Sequence, residues 1–306
     1  MSQPAAVSGA RPAIDAFAAA VMIGLTLSWG FNQVLVKVSN TGYNPIFSVL
    51  ARSAIACLLV WLWCRYRRIP LFERDGTLWP GILAGALFGF EFALIFLGLD
   101  YTTAARGTLM VNSMPFWVLL GGHFLLGERI TMQKFAGLAL AFAGVILVFS
   151  DELSVPGPDA IWGDLMCLAA GILWAATMLV IKGTKLSAAS AEKTLLYQLF
   201  VSAIILVPFV PLAGPVLRDV TPLATGSLLL QAVFIVAFTY VLWFWLMRRY
   251  PASGLSSFAF LTPAFGVLCA GLLLNEPLSM RIFGALALIG AGLLVVNRPV
   301  RRSLPG

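Results

Sequence analysis

Apolar residues fill this chain in long unbroken blocks, not in the period-2 alternation of half-buried strands, and short polar or basic connections cut the blocks apart. A helix needs about 20 consecutive apolar residues to cross roughly 30 Å of hydrocarbon. Ten runs approach or meet that length, at approximately 14–37, 45–64, 78–99, 104–126, 131–150, 161–182, 194–213, 226–247, 252–274 and 279–297. The pattern predicts an all-α polytopic membrane protein with little chain left for a soluble domain. Two stretches also repeat: 98–149 lies over 246–297 without a gap at an offset of 148, matching at 14 of 52 positions. Pro115 falls on Pro263, Glu128 on Glu276, Phe135 on Phe283, Ala143 on Ala291 and Gly144 on Gly292. Bends, loop acids and close-packing positions therefore recur together, as in a duplicated module.

The first run of each half aligns at 145, setting Trp29 on Trp174 and Lys37 on Lys182, and an offset of 146 sets Arg52 against Gln198. The organisation read from this is an N-terminal segment 1–13, a first five-helix repeat 14–150, an outside linker 151–160, a second five-helix repeat 161–297 and a tail 298–306. With five helices in each half, the second half enters the membrane from the opposite side. The expected architecture is ten transmembrane helices as two inverted repeats.

Charge tests that topology independently, because short cytoplasmic loops collect Lys and Arg. With the amino terminus inside, fifteen of the twenty basic residues fall in inside segments. The linker carries Asp151, Glu152 and Asp159 without a base. Both termini are therefore expected in the cytoplasm. The net charge of +7 sits in one-sided short loops, where it sets orientation and meets anionic lipid, so nucleic acid is not an expected partner. The composition, 60% hydrophobic and 11% charged with a mean hydropathy of +0.94, is that of an integral membrane protein. The first run, of some 24 residues, is long for a secretory signal and is read as retained. Cys57, Cys64, Cys167 and Cys269 fall in apolar runs without CxxC spacing and read as small hydrophobes.

Trp29, Gly30 and Lys37 of the first run, Pro115 and Pro263, the loops Gly127-Glu128 and Asn275-Glu276, and the Ala/Gly-rich fifth and tenth runs resemble the drug/metabolite transporter superfamily with two EamA-type repeats. The resemblance spans about residues 14–297, and within the superfamily the chain looks most like YddG-type exporters of aromatic amino acids. It implies a ten-helix basket around a central cavity and export across a bacterial inner membrane. Drug, nucleotide-sugar and general metabolite carriers of the same superfamily are the alternatives.

Polar groups at membrane depth usually face the bundle interior or a wet cavity. In the first run Thr26, Trp29, Gln33 and Lys37 share one face with Asn32 beside it. They either touch a substrate's amino and carboxylate groups or bond neighbouring helices. Glu91 is the acid deepest in a run, roughly 20 Å along the third. It can take up a proton reversibly, hold a substrate ammonium, or be paired structurally. Its counterpart at 148 is Thr239. Arg52 can reach the outer surface, Glu91 or a carboxylate, and is read as structural. Pro115 and Pro263 bend the fourth and ninth runs, either as hinges or as static kinks, freeing carbonyls near Val111 and Ala259.

Phe88, Phe92, Tyr240 and Phe260 lie in the aromatic clusters around these positions and suit a ring or a cationic ligand. The substrate-binding candidates are Trp29, Asn32, Gln33, Phe88, Glu91, Phe92, Asn112, Trp174, Thr177, Thr239, Tyr240 and Phe260, with Glu91 the candidate for proton coupling. Ala139 with Ala143 and Ala287 with Ala291, reinforced by glycines 137, 144, 284 and 292, read as helix-packing positions. His123 reads as a helix-end hydrogen bond, and Glu128 and Glu276 as structural loop acids.

No metal site and no cofactor are expected: the one His has no Cys or acidic partners nearby. An intramembrane enzyme lacks a placed nucleophile and base, an HExxH, a GxSxG or a P-loop. A channel would more often show filter segments or rings of charge. Neither is expected; the expectation is a secondary transporter for a small molecule, bathed in membrane lipid. Oligomeric state is left open, a monomer being sufficient.

Overall fold

The structure, a computed structural model, describes residues 14–99, 101–150, 157–274 and 280–298. Those residues are helical apart from connections and one isolated β-bridge between Tyr43 and Leu217. In the first half lie α1 (Ala16–Gly42), α2 (Pro45–Arg67), α3 (Leu78–Leu99), α4 (Ala104–Val111), α5 (Met114–Leu126) and α6 (Met132–Phe149). The second half holds α7 (Ala160–Gly183), α8 (Ala191–Leu206), α9 (Pro222–Leu230), α10 (Tyr240–Met247), α11 (Ala252–Ser257), α12 (Leu261–Leu274) and α13 (Arg281–Asn297). A π-helical stretch, Gln231–Thr239, joins α9 to α10.

Among the described residues nine helical stretches are long and apolar enough to cross a membrane. The tenth run appears as α13, 17 residues long. Glu276, Asn275, Asp151, Glu152 and the basic residues Arg11, Arg301 and Arg302 lie outside the described residues.

Sequence chemistry sets the helix ends. Asp15 caps α1 by accepting from the Ala18 N–H at 2.8 Å. Asn44 accepts from the Ile46 and Phe47 N–H groups at the start of α2, and Pro45 occupies the first turn, where no donor is needed. Gly127 ends α5 at φ +68, a left-handed conformation natural to glycine. The fourth and ninth runs are each interrupted ahead of their proline. α4 stops at Val111, and α5 restarts with Pro115 in its first turn. In the second half α11 passes through a 3-10 turn, Phe258–Phe260, before Pro263 enters α12. A proline has no N–H for the carbonyl four residues back, so the break falls in the preceding turn.

The principal contacts between the halves come in reciprocal sets. α3 packs on α7 as α9 packs on α1, α5 on α7 as α12 on α1, and α3 on α8 as the π-helical stretch on α2. α6 packs on α13, its own counterpart. That last seam uses Gly137, Ala141 and Gly144 against Ala285, Ile289 and Gly292; a Cβ on Gly292 would stand 2.5 Å from the Gly137 carbonyl oxygen. The alanines singled out in the sequence, Ala139, Ala143, Ala287 and Ala291, and Gly284 with them, are exposed instead. Their spacing of four is right, but the helix turns the neighbouring glycine-bearing face inward, where the missing Cβ lets backbones touch.

Tyr250 ties one end of the bundle together: its hydroxyl donates to Asp15 at the start of α1, and its carbonyl accepts from Lys182 near the end of α7. Glu128 links the halves at the same end. Its carboxylate accepts from the Ala252 N–H at 3.1 Å and from the Ser253 hydroxyl, and Lys134 approaches to 3.5 Å. This is the structural role read for Glu128. His123 bonds the Glu128 carbonyl at 3.0 Å, a helix-end contact. Elsewhere Arg106 and Thr102 bond Asp164, fastening α4 to α7. The four cysteines are free thiols, with Cys64 and Cys167 buried.

Candidate substrate cavity

A cavity of about 200 Å³ lies among α1, α2, α3, α7, α8 and the α9–α10 segment. α1 contributes Trp29, Asn32 and Gln33, three residues that one helical face brings together. Arg52 comes from α2, and α3 supplies Phe88, Glu91, Phe92 and Ile95. Trp174, Thr177, Met178 and Ile181 come from α7, and Gln198 from α8. The π-helical stretch and α10 add Ile235, Tyr240, Trp243, Phe244 and Met247, while Val111 and Thr262 stand at the broken helices.

The walls form a continuous aromatic chain. Trp243 meets Trp29 edge-on at 5.5 Å between ring centroids, Trp29 meets Tyr240 at 6.1 Å, Tyr240 meets Phe88 at 6.5 Å and Phe88 meets Phe92 at 5.0 Å. These are favourable edge-to-face separations. The chain ends on Arg52, whose guanidinium carbon lies 5.5 Å from the Phe92 ring centre.

Polar atoms are left over inside this aromatic frame. Among the described residues, buried side-chain atoms without a hydrogen-bond partner are Asn32 Oδ1, Arg52 Nε, Glu91 Oε2, Gln198 Oε1 and Thr262 Oγ1, together with Asn40 Oδ1 and Ser48 Oγ. The first five belong to residues that line the cavity. Buried polar groups are ordinarily satisfied, so a cluster of partnerless atoms around a single void is a place that water or a polar ligand can complete. Glu91 is 5% exposed and Arg52 6%, yet they make no ion pair with each other.

Nine of the sequence candidates line the cavity: Trp29, Asn32, Gln33, Phe88, Glu91, Phe92, Trp174, Thr177 and Tyr240. Three stand elsewhere. Thr239 is one layer behind, accepting from the Trp29 indole N–H at 3.0 Å. Asn112 turns its amide back to the Thr108 carbonyl at 2.9 Å, satisfying a carbonyl at the break in the fourth run. Phe260 is fully buried among Phe116 and Phe142 as core. Pro115 and Pro263 are buried and do not line the cavity. Arg52, Gln198 and Thr262 were not among the candidates; the Arg52/Gln198 match between halves was the available signal for two of them. Thr262 had none, since its counterpart is Met114.

A duplicated helical bundle with membrane-length helices and a polar-dotted internal cavity defines the class of polytopic membrane transporters. A model of the EamA-like transporter family matches residues 16–150 and 161–298, and the chain belongs to that family. It is 28% identical to an uncharacterized transporter of Archaeoglobus fulgidus over 84% of this chain and 89% of the relative. It is 27% identical to a probable amino-acid metabolite efflux pump of Escherichia coli over 87% and 90%, respectively. A solved crystal structure 18% identical in sequence superposes with a TM-score of 0.78, covering 92% of this chain and 96% of that one, and shares the fold.

Proposed function

We propose that this member of the family is a secondary exporter of small amphipathic metabolites, with aromatic amino acids as its principal substrates, working by alternating access around the central cavity. The observation that carries the reading is the set of five side chains, each with a buried polar atom lacking a partner, inside an aromatic wall. Such a wall stacks a phenyl or indole ring, and the polar atoms meet a charged head. A volume of about 200 Å³ lies below the roughly 300–1,000 Å³ of drug-sized sites, which favours an amino acid over a nucleotide sugar. The amino-acid efflux name borne by the Escherichia coli relative agrees with this.

In this reading Glu91 holds the substrate ammonium or exchanges it for a proton, and the halves rock about Pro115 and Pro263. The two five-helix repeats are inverted, ten helices in all, with both termini in the cytoplasm and the chain in a bacterial inner membrane. Support for inversion comes from Tyr250, which joins the beginning of α1 to the end of α7, although these helices are counterparts in the repeat. The test is counterflow of labelled phenylalanine and tryptophan in liposomes, with alanine, a nucleotide sugar and a cationic dye as competitors. Saturable uptake competed by aromatic amino acids alone is the expected result; competition by sugar or dye alone rejects the substrate assignment.

A further inference from the structure

Arg52 is a buried cation whose hydrogen-bonding capacity is mostly unused. A guanidinium carries five N–H donors. Here Nη1 donates to Gln231 Oε1 at 3.3 Å, Nε has no partner, and no carboxylate of the described residues pairs with the group. An uncompensated charge at that depth is costly and is a functional site by default.

Its orientation is fixed from behind. Gln231 Nε2 donates to the Leu35 carbonyl at 3.2 Å and to Ser39 Oγ at 3.0 Å. The Leu35 carbonyl can only accept, so the amide nitrogen must face it and the amide oxygen must face Arg52. The Phe92 ring centre stands 5.5 Å from the guanidinium carbon, within cation–π range. With Nη1 committed to Gln231, the side that carries no protein partner is the Nε–Nη2 edge. That edge presents two parallel N–H groups, the geometry that binds a carboxylate through both oxygens.

We propose that Arg52 is the residue that makes transport specific for a carboxylate-bearing substrate, taking the carboxylate on its Nε–Nη2 edge while Gln231 positions it. The proposal rests on the reading of the cavity as the site for aromatic amino acids and adds which end of the substrate is recognised, and by what. Among the described lining residues Arg52 is the one cation, its counterpart in the other half being the neutral Gln198. Loss of the carboxylate therefore cannot be made good from the other half.

The experiment measures binding to the purified full chain by quenching of its tryptophan fluorescence, using L-phenylalanine and L-phenylalaninamide. The two share ring and ammonium and differ in the carboxylate. The wild-type chain is expected to bind L-phenylalanine at least about tenfold more tightly, the loss that accompanies a missing charge-assisted hydrogen bond. Arg52→Gln is expected to lower L-phenylalanine affinity to that of the amide and erase the ratio, and Arg52→Lys to keep only part of it. Equal binding of the two compounds by the wild-type chain overturns the proposal alone. Binding of neither overturns it together with the substrate reading. An Arg52→Gln chain that melts earlier but keeps the tenfold ratio assigns Arg52 to scaffolding and also overturns it.

Discussion

The two halves of this transporter build matching walls with different chemistry. Position by position in the repeat, Trp29 faces the cavity with Trp174, Asn32 with Thr177, Gln33 with Met178, Arg52 with Gln198, Phe92 with Tyr240 and Ile95 with Trp243. Both charges in the lining, Arg52 and Glu91, come from the first half. The second half answers with neutral groups: Gln198, and Thr239, which has withdrawn behind Trp29. The backbone there differs as well, since Gln231–Thr239 is π-helical where the matching part of α3 is α-helical. A π-helical segment re-aims side chains and is frequent at functional sites. Duplication thus supplies a container with reciprocal contacts, and divergence of one half supplies its polarity.

The sharpest way to break the asymmetry is to give the first half the residue of the second. Glu91→Thr is expected to slow counterflow of phenylalanine roughly 10- to 100-fold, the equivalent of a lost charged hydrogen bond of about 1.5–3 kcal/mol. Glu91→Gln separates charge from shape: if Glu91 couples protons, exchange persists while transport driven by a pH gradient disappears. A variant whose pH dependence matches wild type removes the coupling role.

Next in size is the seam that the halves share on equal terms. Gly292→Ala and Gly137→Ala each place a Cβ against backbone of the opposing helix. Each is expected to cost about 1–3 kcal/mol by overpacking, read as a lower melting temperature of the purified chain. Gly290→Ala meets nothing within 4 Å and should not melt earlier than wild type.

A smaller difference separates the paired tryptophans. Trp29→Phe removes the bond to Thr239 and should cost about 1 kcal/mol, a fall of a few degrees in melting temperature. Trp174 donates no hydrogen bond to a described residue, so Trp174→Phe should leave the melting temperature close to wild type. Equal shifts would show that the hydrogen bond is not what distinguishes the two.

The least effect is expected outside the membrane, between α2 and α3. There Lys193 and then Thr77 donate to Asp75 and hold its carboxyl well below the usual carboxylate range. A carboxyl depressed in the folded state stabilises above its unfolded value, near 3.9, and loses that contribution as pH falls toward its folded value. Asp75→Asn should lower the melting temperature slightly at pH 7, and the gap from wild type should narrow as the medium is acidified below about pH 4.

What the chain's linear pattern determined was the helical, membrane-spanning class and the duplication, because hydrocarbon thickness and helix rise translate directly into run length. Nine of the twelve candidates line the cavity, because polar and aromatic residues are conspicuous within long apolar runs. The face that each helix presents was not legible. Asn112, Thr239 and Phe260 have the right chemistry, yet rotation about the helix turns them onto a local carbonyl, a neighbouring indole and an aromatic core. Thr262 enters the lining by the same accident of rotation. An apolar helix carries little amphipathic signal in a membrane, where lipid and core are alike apolar, so packing alone selects its inward face. For Arg52 the decisive fact was tertiary too: only the fold brings Gln231, itself locked onto α1, to one side of the guanidinium and leaves the other side without a partner.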